Sequence, residues 1–168
     1  MKIYLVRHAK RGHGEEQDTL TGEGFVQARE LKERLKNLRF GKIYCSNSNR
    51  CRDTIKPFLE DSNIEIEYTQ ELEEKRLGIL QGKTGQEFRD ALEKSGLEKD
   101  KFRPEGGENL EDFETRVKKF ISFLKENETK DVLIITHVGV IRLFKKLIEK
   151  REGEIPRADF TSVYCLEL

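Results

Sequence analysis

The chain has 168 residues, enough for one domain with a buried core. Lys and Arg number 32 and so do Asp and Glu, so the formal net charge is zero. That balance excludes a global basic field for nucleic acid or an anionic membrane, and leaves any preference for anions to a local cluster. Charged residues make up 38% of the chain, mostly Lys and Glu, which reads as a well-solvated surface and is also the bias of heat-adapted proteins. Cys45, Cys51 and Cys165 form no CxxC pair and read as reduced thiols of a cytoplasmic protein. No charged-apolar-small leader opens the sequence, and no apolar run approaches the roughly 18 residues of a membrane span. His8, His13 and His137 lack ligand-pair spacing, so neither a metal nor another cofactor is expected.

"KIYLV" at 2–6 is a short, β-rich, nearly continuous apolar run and predicts a buried strand. A loop with Gly12 and Gly14 follows. Thr21 can cap a helix with apolar positions Phe25, Ala28, Leu31, Leu35 and Leu38. "KIYCS" at 42–46 is a second strand, and 49–60 a helix that Pro57 is expected to kink or end. "IEIEY" at 64–68 alternates like a strand with one wet face. Within 75–110, "GQEFRDALEKSG" suggests a helix and "FRPEGGE" a loop; the region reads as a lid-like insertion. Residues 111–125 predict a helix with the stripe Phe113, Val117, Phe120, Ile121 and Leu124. "DVLIITH" is a buried strand, "VGVIRLFKKLIEK" the helix behind it, and "TSVYCLEL" a last strand. The alternation predicts one α/β domain over 1–168, three-layered α/β/α with a mainly parallel central sheet.

Ligands of such sheets bind beyond the carboxyl ends of the strands. The first strand delivers Arg7 and His8 there, the second Ser46 and then Arg50, and the "VLIIT" strand His137. Two arginines sharing a pocket call for an anion, and their forks match phosphate oxygens. A neutral histidine beside them can attack phosphorus to give a phosphohistidine that water cleaves. The leaving oxygen needs a proton, for which a carboxyl with a raised pKa is suited. Phosphoryl transfer depends on positioning and charge stabilisation, which Arg, Arg and His supply without a metal. A cysteine phosphatase would need five residues between its thiolate and its arginine; Cys45 is followed by four before Arg50 and six before Arg52.

"LVRHAK" resembles the Arg-His-Gly signature of the histidine phosphatase superfamily, also called the cofactor-dependent phosphoglycerate mutase-like family. "LTGEGFVQARELKERL", "IYCSNSNRCRDTIKP", "LEEKRLGILQGKT", "GGENLEDFETRV" and "IITHVGVIRLF" resemble its further blocks in their order, over nearly the whole chain. The resemblance implies His8 as the phosphorylated nucleophile, Arg7 and Arg50 as phosphate ligands, His137 as phosphate ligand and transition-state stabiliser, and Glu74 as general acid. Gly78 and Gly82 fix the register that selects Glu74 over Glu73. Ala9 stands where the family's glycine follows the first histidine, adding a methyl near the phosphate, and Val138 where a glycine follows the second.

The implied activity is metal-independent hydrolysis of a small phosphorylated metabolite. "HVGVIR" resembles the phosphatase branch, whereas the mutases read H-G-N-S. Phosphoglycerate mutase-type transfer, a protein-phosphohistidine phosphatase and a non-enzymatic phosphate sensor remain alternatives, and the oligomeric state is open. Substrate preference is expected in residues 9–19 and 75–110. Outside the site, His13 reads as solvent-exposed, Arg52 as a structural neighbour of Arg50, Lys10 and Arg11 as surface or steering charges, and Arg116 and Arg142 as solvated or structural.

Overall fold

A computed structural model describes residues 1–168 except 14, 15, 17, 151, 152 and 154, so Gly14 lies outside the described residues. Five strands, β1 (Lys2–Arg7), β2 (Lys42–Ser46), β3 (Glu65–Thr69), β4 (Val132–Thr136) and β5 (Val163–Glu167), form one sheet in the order β3-β2-β4-β1-β5. All neighbours pair in parallel except β1 with β5. The helices are α1 (Gly22–Leu35), α2 (Asn49–Leu59), α3 (Gly85–Ser95), α4 (Leu110–Asn127) and α5 (Val138–Glu149).

β4 is an unbroken apolar run because both of its faces are covered. Leu133 and Ile135 join Val6, Ile43, Leu31, Leu35, Cys51 and Ile55 beneath α1 and α2. Val132 and Ile134 join Ile3, Leu5, Tyr44 and the stripe of α4 and α5 on the other face. The expected stripe of α4 is buried throughout, and its start is held by an Asn109–Asp112 capping box. These are the three α/β/α layers.

Two local expectations fail. Phe25 is 45% exposed, because the buried row of α1 runs through Gly24, Ala28, Leu31 and Leu35. A Cβ at position 24 would lie 2.1 Å from the Lys10 carbonyl oxygen, so glycine lets the loop after His8 rest on α1. Pro57 neither ends nor splits α2, which is continuous over Asn49–Leu59. Its missing amide falls in the last turn, and Phe58 and Leu59 still pack on the core.

The connection from β1 through α1 to β2 passes β4 to one side, and that from β4 through α5 to β5 passes β1 to the other. The carboxyl ends of β1 and β4 therefore flank the point where the chain reverses its winding, the usual place for a ligand crevice.

Candidate active site

β1 and β4 run in register with Arg7 opposite Thr136, so His8 and His137 leave neighbouring strands side by side. The His8 amide donates to the Thr136 carbonyl at 2.9 Å, and the ring centroids are 5.2 Å apart, close to the spacing of the strands themselves. Both histidines are almost fully buried.

Each ring has its tautomer set by a partner of fixed role. His8 Nδ1 lies 2.8 Å from the Ala9 carbonyl, which can only accept, so Nδ1 carries the hydrogen and Nε2 the free lone pair. Burial, assisted by Arg50, Arg7 and Arg11, pushes its pKa down to about 3, so the ring is neutral near pH 7. His137 Nδ1 accepts from Arg50 Nη2 at 3.2 Å, leaving Nε2 to donate to Ser46 Oγ at 2.9 Å. Burial and then Arg50 hold His137 well below the usual imidazole range.

Arg7, at the end of β1, donates from Nη1 to the Ala158 carbonyl at 2.8 Å and lies 3.8 Å over the Phe160 ring, which also faces His8. Burial and the like charges of Arg157 and Arg11 lower its pKa to about 10, still fully charged near neutrality. Arg50, in the first turn of α2, pairs with Asp18 at 2.7 Å. The Nε–H groups of Arg7 and Arg50 are buried and find no acceptor among the described residues.

Glu74 approaches from the segment after β3. Its Oε2 accepts from the Gly139 amide at 3.0 Å, near the N-terminus of α5, and Oε1 from the Lys75 amide at 3.1 Å. A Cβ at position 139 would lie 2.1 Å from Oε1, so the glycine that matters here is two residues past His137. Val138 instead packs against the core at the start of α5. Arg7, His8, Arg50 and His137 thus lie together at the carboxyl ends of β1 and β4, and Glu74 is bonded to the start of α5, two residues past His137.

Other expectations divide. Ala9 is fully buried and its methyl packs with Leu20 and Ala28, while its amide donates to Thr54 Oγ1 at 2.9 Å. His13 is exposed. Arg52 turns away, bonding Asn47 and lying 4.0 Å over Tyr68. Of the two readings of Arg116 the structural one holds: it is buried against Glu108. Asp18 and the segment 158–160 were not singled out from the sequence, since an aspartate in a polar loop and a lone phenylalanine carry no spacing signal.

No helix among the described residues is long and apolar enough to cross a membrane. The model of the histidine phosphatase superfamily (branch 1) matches residues 3–168. "Probable phosphatase C1687.21" of Schizosaccharomyces pombe is 31% identical over 164 residues, covering 91% of this chain and 76% of that protein. "Fructose-2,6-bisphosphatase TIGAR" of Bos taurus is 31% identical over 64% of this chain, which spans only 41% of TIGAR. The solved structure of Bacillus stearothermophilus YhfR superimposes with a TM-score of 0.81 at 28% identity, covering 99% of this chain and 91% of that one. With paired histidines and arginines at the expected strand ends, the chain belongs to the histidine phosphatase superfamily, branch 1, and is a phosphatase.

Proposed function

We propose that the protein hydrolyses a small phosphomonoester through a phosphohistidine on His8, without a metal. The observation that carries this reading is the Nδ1–Ala9 bond, which leaves His8 Nε2 as a bare nucleophile beside Arg7, Arg50 and His137. Arg7 and Arg50 take the phosphoryl oxygens, for which their Nε–H groups, without an acceptor among the described residues, are suited. A phosphoryl O–H entering between Arg50 and His137 can donate to His137 Nδ1 while a second phosphoryl oxygen accepts from Arg50, and His137 Nε2 stays on Ser46.

Nε2 attacks phosphorus, the ester P–O bond breaks, and its electron pair goes to the leaving oxygen, which takes a proton from Glu74. Water then attacks phosphorus with Glu74 accepting its proton, and the N–P pair returns to Nε2 as phosphate leaves.

TIGAR's name points to a sugar phosphate as substrate, and the segment 75–110 is the proposed lid over it. The test is hydrolysis of p-nitrophenyl phosphate and of a panel of phosphorylated metabolites, with and without EDTA and vanadate. Turnover that resists EDTA and is inhibited by vanadate is expected. Loss of turnover with EDTA, or transfer of the phosphoryl group between phosphoglycerates as the main activity, would overturn the reading.

A further inference from the structure

Arg116 lies on the same face of α4 as Phe113, Val117 and Phe120, where a charge is out of place. Its side chain is 7% exposed and that of its partner Glu108 is 10% exposed. The guanidinium uses all five of its N–H donors. Nε and Nη2 donate to Glu108 Oε1 and Oε2 at 2.7 and 2.8 Å. Nη1 donates to the carbonyls of Glu71 and Glu73 at 2.7 and 3.0 Å, with that of Gln70 at 3.5 Å, and Nη2 also to that of Glu74 at 3.3 Å.

These carbonyls belong to one short segment: the 3₁₀ turn Gln70–Leu72 and the extended residues that follow it. Carbonyls converging on one point repel and need a donor that α4 would otherwise lack. Glu108 also accepts from the Arg76 amide at 3.0 Å, and the Leu72 carbonyl accepts from Thr136 Oγ1 at 2.7 Å, immediately before His137. The segment is thus fixed between α4 and the end of β4, with the Glu74 carboxyl set on Gly139.

A buried ion pair adds little to stability over an apolar pair of the same volume, so its distinctive contribution is geometry. We infer that Arg116, clamped by Glu108, is the positioning residue for Glu74: it holds the backbone of 70–74 so that the Glu74 carboxyl can protonate the leaving oxygen. This rests on the reading of Glu74 as proton donor. The side chain of Arg116 does not touch substrate; it acts through the backbone it holds.

The test compares kcat/KM, which reports the step that expels the leaving group and not the later hydrolysis of phosphohistidine, for p-nitrophenyl, phenyl and alkyl phosphates, whose leaving oxygens need a proton increasingly. E74Q is expected to lose about a hundredfold on the alkyl ester and far less on the nitrophenyl ester. R116K keeps the charge but loses the fork, and is expected to lose about thirtyfold on the alkyl ester and about threefold on the nitrophenyl ester. In the double variant R116K/E74Q the alkyl loss should stay within about threefold of E74Q alone, because the two act as a unit.

Equal losses of R116K on all esters, or losses that multiply in the double variant, would overturn the inference while a steep E74Q profile leaves the proton-donor reading standing. A flat E74Q profile would sink that reading and the clamp with it. Melting curves establish that the variants are folded. Should R116K not fold, E108Q, which keeps the shape of the clamp, should show the same leaving-group signature at about tenfold, and a flat profile there overturns the inference.

Discussion

The floor of the site and the segment 75–110 are built differently. Arg7, His8 and His137 stand at the ends of strands whose side chains are almost wholly buried, and each of their polar contacts is to backbone or to a residue itself fixed. Helix α3 buries none of its side chains; the segment is anchored by Phe102, Pro104 and Glu108, with Phe88 set edge-on to Phe102 at 5.7 Å. Transition-state geometry tolerates little displacement and so belongs on rigid elements, while a lightly packed segment can vary with the ligand it meets.

The largest effect that would sharpen this contrast is at Gly139. Its replacement by alanine sets a methyl against Glu74 Oε1 and displaces the carboxyl, so alkyl phosphate turnover should fall about a hundredfold. Measured kcat unchanged within a few-fold would mean that the Glu74 site is as adaptable as the segment above it.

A pH experiment follows. Unfolded His8 binds a proton below about pH 6.5, while folded His8 does not until about pH 3. Between these values the unfolded chain holds more protons, so acidification favours unfolding and the contribution of neutral His8 is lost as pH falls. The wild-type melting temperature should drop across this window, and H8N, which cannot titrate there, should drop less. Parallel curves for the two proteins would deny the burial of a neutral imidazole.

In the segment 75–110, F88A removes a lightly packed ring. It should cost about 1 kcal/mol in stability and shift the preference among metabolites while sparing p-nitrophenyl phosphate turnover. Loss of nitrophenyl turnover as large as the alkyl phosphate loss of G139A would erase the distinction between the two regions. The smallest effect is expected for D18N, which frees Arg50 from a half-exposed carboxylate and should tighten phosphate inhibition by about two- to threefold. Weaker inhibition would show that Asp18 orients Arg50 rather than competes for it.

Much of the site was legible because strand ends are. The β4 run and the chemistry directly after it read out in one dimension, and the pairing of β1 with β4 did the rest. Glu74 was legible only through the glycines that follow it. For Arg116 the sequence favours the structural reading over the solvated one: at three residues after Phe113 and one before Val117 it lies on the buried stripe, where a charge implies a partner. The Ala9 methyl could not be placed from sequence, because its direction depends on how α1 docks on the loop.

The most direct test of the whole account is to trap the covalent intermediate. A radiolabelled phosphomonoester is mixed with wild-type protein, quenched in denaturant at alkaline pH, and the labelled peptide mapped. The account predicts acid-labile, base-stable label on the peptide carrying His8, and no label, with turnover reduced on the order of 10⁴-fold or more, in H8A. Label on another residue, or turnover that survives in H8A, would contradict it.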